Sequence, residues 1–125
     1  MYVRHVSDDA PEDPELADIY PGLAPASGEP IIDKRFGSAF LHTGLEAALA
    51  ALGVKTLYVC GLATFGRVNA TVMCAVCKGY ETMVVNDAHG TQGFPDATPS
   101  QVIERFNAVR ECAGETLRGS RDARF

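Results

Sequence analysis

Two short runs restrict this chain more than any other feature. Thr56 to Cys60 (TLYVC) and Thr82 to Asn86 (TMVVN) are nearly all apolar, as parallel strands buried on both faces must be. TLYVC, bounded by glycines, is expected to be a central strand. Between the two runs, GLATFGRV turns into a segment in which Val68, Val72, Ala75 and Val76 share a helical face, ending at Lys78 and Gly79. Strand, helix and strand in this succession form the crossover unit of a parallel, doubly wound sheet.

The flanking sequence extends the same alternation. Thr43 can cap a helix with Leu45, Leu49 and Leu52 on one face and Gly53 as its stop. Thr98 to Leu117 is predicted to be a further helix, with Val102, Ile103, Phe106, Val109 and Ala113 on one side. Tyr2 to Val6 carries β-formers, and Ile31 and Ile32 lead as a short extended segment into Asp33 and Lys34. Residues 7–30 form an irregular, acidic and proline-rich loop, too long for a compact domain unless it covers or binds something. At 125 residues, and with no internal repeat, the chain is expected to form one domain, 1–125.

In parallel sheets the chemistry lies where strands end, because the loops there converge on one crevice. The ends to search are Lys34, the GLATFGRV turn and the DAHGT turn. A net charge of −5 with no Lys/Arg cluster argues against a nucleic-acid partner. No apolar run approaches the roughly 20 residues that span a bilayer, and the start lacks the order of a secretory signal. The expectation is a cytoplasmic chain with no membrane partner, in which Cys60, Cys74, Cys77 and Cys112 are reduced.

From Pro30 to about Asn107 the anchors stand in a fixed order: Lys34, Ser38 with Phe40, Thr43 with Leu45, Gly61, Thr64, Val68, Thr71, Gly79 with Tyr80, and Asp87 with Ala88. This register resembles that of the isochorismatase-like cysteine hydrolases. The resemblance implies a three-layer Rossmann-like α/β fold with a parallel sheet. Its first strand and helix would be absent here, since Tyr2 to Val6 looks like the end of the family's second strand. It also implies a non-proline cis peptide at Leu62-Ala63. Family enzymes cleave C–N bonds of amides and ureas, or the vinyl ether of isochorismate, with an Asp, Lys and Cys triad.

Carried over residue by residue, that triad is depleted. Lys34 matches the lysine, the nucleophile position falls on Arg67, and the aspartate belongs to the absent strand. A guanidinium cannot attack as a nucleophile. Cys60 is expected to point into the packing, and Cys74 lies roughly 10 Å along the helix from Arg67, too far to substitute. The resemblance thus implies a hydrolase-like protein without cysteine-hydrolase activity. The alternative is an active hydrolase completed by a partner chain or an upstream segment.

By the same resemblance, Leu62, Ala63 and Arg67 form the oxyanion turn, and Phe36, Phe40, Thr64, Asp87 and His89 line the pocket. Arg67 has two readings: relaxed constraint, which is favoured, or anion binding together with the free amides of its turn. Asp87 is expected to fix its turn by bonding backbone amides. The CAVC spacing of Cys74 and Cys77 sits inside a helix and lacks a second ligand pair, so buried core cysteines are expected rather than a redox or zinc site. His5, His42 and His89 show no metal-ligand spacing. No metal and no cofactor are expected, whereas a small-molecule ligand can be accommodated. A sheet without its innermost strand leaves unpaired edges, which points to a homo-oligomer.

Overall fold

The computed structural model describes residues 1–6, 19–112 and 116–121. Most of the acidic stretch of the 7–30 loop, residues 7–18, lies outside them. The described remainder of that loop carries a single 3-10 turn, Pro21–Leu23.

Five strands and three helices alternate along the chain: β1 (Tyr2–His5), β2 (Ile31–Lys34), α1 (Leu45–Ala51), β3 (Thr56–Leu62), α2 (Asn69–Cys77), β4 (Glu81–Gly90), α3 (Pro99–Cys112) and β5 (Thr116–Arg118). Every ladder is parallel. β1 pairs with β2, placing Tyr2 opposite Ile31 and His5 opposite Lys34. β3 pairs with β4, placing Val59 opposite Val84, and β4 pairs with β5. The order is therefore β1-β2 in one sheet and β3-β4-β5 in a second.

This division corrects the expectation for TLYVC. β4 has neighbours on both sides, and Thr82 to Val85 are buried, whereas β3 pairs with β4 alone and Thr56 to Val59 are only half-buried. Among the described residues β3 is an edge strand, not a central one.

Local signals place the helices well. Gly53 ends α1 with φ +64° and Gly79 ends the turn after α2 with φ +85°, a backbone region open to glycine and strained for side chains with a Cβ. The Thr43 hydroxyl accepts from Leu45 N at 3.2 Å, so it supports the start of α1 from two residues ahead. At α3 the cap is reciprocal: Thr98 N donates to Gln101 Oε1 at 2.9 Å, and Gln101 N donates back to Thr98 Oγ1 at 3.4 Å. The predicted helix from Thr98 to Leu117 is too long. α3 ends at Cys112, and Leu117 instead lies in β5 opposite Val84.

The core has two clusters that meet along α2. Ala39, Phe40, Leu45, Leu49 and Ala75 form one, with Leu57 and Cys74 packed against it. Val68, Val72, Val84 and Phe106 form the other, with Val59 alongside. The predicted faces do not hold throughout, because Leu52, Val76 and Val109 are exposed. Leu52 and Val76 stand at the ends of their helices, whereas in α3 the buried face passes through Arg110, 5% exposed, instead of Val109. Ala113 lies outside the described residues.

Candidate functional site

The ends of β1 and β2 and the turn after β3 bring three basic side chains together. His5 and Lys34 are register partners, and the ladder continues past them through Val6 N donating to Lys34 O at 2.8 Å. Lys34 is only 5% exposed, and its ammonium donates to Phe36 O at 2.7 Å and Gly37 O at 3.1 Å. The loop supplying those carbonyls is tied to the β3 turn by Thr71, whose hydroxyl accepts from Ala39 N at 3.0 Å and donates to Arg67 O at 2.8 Å. Thr71 thereby holds the Lys34 loop beside the backbone of Arg67.

The electrostatics of this corner are one-sided. Burial holds the Lys34 ammonium below the ordinary lysine range, and the nearby Arg67 cation lowers it further. Burial also lowers His5, reinforced by Arg67 and then Lys34. Among the described residues no carboxylate contributes to either shift. His5 Nδ1 is buried and has no hydrogen-bond partner. Sequence reasoning missed His5 as part of this site, noting it only as one of three separated histidines. The available signal was parity, since pairing β1 with β2 from their first residues sets His5 beside Lys34.

The turn after β3 contains the implied cis peptide at Leu62-Ala63. It then winds as a π-helical turn over Thr64–Val68 before α2 begins. Its amides are largely committed within the turn. Gly66 N and Val68 N both donate to Ala63 O, at 3.1 and 3.2 Å, and Asn69 N turns back to Gly66 O and Thr64 O. Arg67 lies in this turn as an exposed residue.

Thr64 and His89, two of the expected pocket residues, are buried in a polar network instead of facing open space. Thr64 is 0% exposed, and its hydroxyl lies 3.0 Å from His89 Nδ1 and 2.9 Å from Gly90 O. Asn107 Nδ2 donates to Asn86 O at 3.2 Å, which turns Oδ1 toward His89 Nε2 at 2.9 Å. Since that oxygen only accepts, Nε2 carries the proton of the pair, while the single Thr64 hydroxyl proton goes to Gly90 O and leaves the Thr64 oxygen beside Nδ1. The network thus fastens the turn after β3 to the end of β4 and to α3.

The remaining expectations separate. β4 runs on to Gly90, so DAHGT continues a strand where a turn was expected. Asp87 does bond a backbone amide, but a distant one: it accepts from Ser120 N at 2.7 Å and Ser120 Oγ at 2.8 Å, which lowers its pKa. Neither Lys34 nor Arg67 acts on it. Phe40 is buried in the first core cluster, tilted against Tyr80 at 5.8 Å. Phe36 is exposed beside the His42 ring at 5.6 Å.

Cys60 and Cys77 are exposed, contrary to the expectation of packed thiols, and Cys74 is half-buried against the core. Cys60 falls at the register irregularity of β3 between Val59 and Gly61, on a strand with one described neighbour, and Cys77 sits at the last position of α2. Among the described residues, no three His, Cys, Asp or Glu side chains converge as a metal site. No described helix is long and apolar enough to cross a membrane.

Comparison with known proteins agrees with this architecture. A family model described as the isochorismatase domain matches residues 2–113. Maleamate amidohydrolase of Pseudomonas putida is 35% identical over 115 residues, covering 85% of this chain and 54% of that protein. N-carbamoylsarcosine amidase of an Arthrobacter species is 35% identical over 89 residues, 71% of this chain and 34% of that one. The crystal structure of an isochorismatase from Pseudomonas putida superposes with a TM-score of 0.81 at 31% identity, covering 94% of this chain and 64% of the other. The chain thus spans about half or less of the length of these two curated relatives.

Proposed function

Because the chain belongs to the isochorismatase family, we propose that it is a hydrolase-like member without thiol-dependent hydrolysis, serving as a binding or assembly module on the hydrolase fold. The observation that carries this reading is the identity of the group beside Lys34. It is the Arg67 cation, and among the described residues no cysteine contributes to the field at that ammonium. A thiolate attack needs a sulfur within contact distance of the reacting carbon, and a guanidinium has no lone pair to offer in its place.

The purified chain incubated with a panel of primary amides, ureas and N-carbamoyl compounds is expected to give no turnover above the thiol-free background. Alkylating the accessible thiols, Cys60 and Cys77 among them, is expected to change nothing. Turnover that disappears on alkylation overturns the reading.

A second reading has its own observation. β3 carries no ladder partner on the side away from β4, and the β1-β2 pair forms a separate sheet. Unpaired parallel edges flanked by half-buried apolar residues favour strand addition from another chain. This supports a homo-oligomer, and with it an active hydrolase of C–N bonds or vinyl ethers completed by groups from a partner. Sedimentation velocity at micromolar concentration is expected to show a species larger than one chain, and a single monomeric boundary counts against self-association. If the oligomer forms and amides are still untouched, the completed-hydrolase version fails while the assembly reading stands.

A further inference from the structure

We propose that His5, Lys34 and Arg67 form a receptor for a small organic carboxylate, seated where β1, β2 and the turn after β3 converge. This rests on the reading that Arg67 occupies the site without supplying a nucleophile.

Donor counting at the corner leads to the ligand class. An ammonium has three protons, and Lys34 gives two of them to the carbonyls of Phe36 and Gly37. One remains, on a group so buried that only a nearby acceptor can use it. Arg67 is an exposed guanidinium whose backbone, and not its side chain, is held by Thr71. Its planar fork is free to swing onto an acceptor and fits the two oxygens of a carboxylate. His5 supplies the third point, through a buried Nδ1 that has no partner. A buried ring nitrogen left unpaired costs about 1–3 kcal/mol, and a site polar on three sides that leaves it so is organised around something else.

The charge balance points the same way. Lys34 and Arg67 are cations close enough to depress each other's neighbour His5, and among the described residues no acid offsets them. An entering anion replaces that repulsion with attraction. The chain as a whole carries a net charge of −5, which works against polyanions and favours a ligand of one or two charges.

Binding is also linked to protons, with a definite sign. In the empty site His5 titrates below the ordinary 6.5, because burial and then the two cations disfavour its charged form. A carboxylate beside the ring reverses the electrostatic part, so the ligand brings a proton with it. Affinity therefore rises as pH falls through the region below 6.5 and levels off once His5 is charged in both states. Among the described residues the charged groups acting on His5 are Lys34 from β2 and Arg67 from the β3 turn, and neither changes charge in that window.

Isothermal titration of the full chain with sodium malonate, repeated with acetate, tests the proposal at several pH values between about 5.5 and 7.5. We expect one site per chain, affinity increasing toward acid, and proton uptake visible as a heat that differs between buffers of unlike ionisation enthalpy. Arg67→Ala, at an exposed position that leaves the fold intact by circular dichroism, is expected to weaken malonate by about tenfold or more. His5→Gln is expected to retain binding at the upper pH and to flatten the pH dependence. Absence of binding at millimolar malonate, or equal affinity in the native chain and Arg67→Ala, overturns the receptor. Neither result bears on amide turnover, so the failure of this inference is distinguishable from the failure of the non-hydrolase reading.

Discussion

Phe106→Ala is expected to lower the free energy of unfolding by about 3–5 kcal/mol. Phe106 is 2% exposed and closes the cluster of Val68, Val72 and Val84, which joins α2 and α3 to the sheet. Its ring also meets Phe65 edge-on at 5.5 Å and His89 at 5.2 Å, and the Arg110 guanidinium lies over it at 5.0 Å. Alanine removes the transfer energy of the ring and leaves a cavity lined by groups from three elements, which cannot collapse together. A small domain has only about 5–15 kcal/mol in hand, so the variant is expected to be marginal at room temperature. Urea unfolding followed by far-UV circular dichroism measures the loss. Val109→Ala, on the exposed side of the same helix, serves as the reference and is expected to change stability by less than about 0.5 kcal/mol. A loss below about 1 kcal/mol for Phe106→Ala contradicts the packing described here.

The second large effect is expected at Thr64→Val, which keeps the shape of the side chain and deletes only the hydroxyl. Thr64 has no exposed surface, and its oxygen is shared between His89 Nδ1 and Gly90 O. Valine fills the space but leaves the buried Gly90 carbonyl without its side-chain donor and the His89 ring without the hydroxyl beside it. Each such group costs about 1–3 kcal/mol when nothing replaces the bond. The damage is concentrated at the joint between the turn after β3 and the end of β4, so the geometry around Arg67 is expected to loosen along with the fold. Thr64→Ser retains the hydroxyl and is expected to lose only about 1 kcal/mol, for the missing methyl. Nitrogen shifts of the His89 ring provide the independent readout, since Nδ1 loses its hydroxyl neighbour in the valine variant and keeps it in the serine one. Equal stability of Thr64→Val and the native chain rules out the network as a structural tie.

The position of Thr64 shows why polar residues near strand ends are hard to assign from sequence. Its place beside the β3 turn was legible, and so was that of His89 after β4. Whether such side chains face a crevice or each other depends on Asn107, eighteen residues beyond His89 on a different element. Asp87 illustrates the same limit, since its partner Ser120 lies thirty-three residues away.

The sequence by itself determined the crossover of β3, α2 and β4, the glycines that end the turns, the family register and the arrival of Lys34 and Arg67 at strand ends. These follow from local rules: a strand buried on both faces reads as a continuous apolar run, and a helix against a sheet repeats its apolar positions every three to four residues. Tertiary structure alone decided that β3 is an edge among the described residues, that Thr116 and Leu117 of the predicted final helix lie in β5, and that His5 joins the basic corner. Each of these depends on which segments lie side by side, and His5 and Lys34 are brought together across twenty-nine residues by a ladder whose partner no local pattern names.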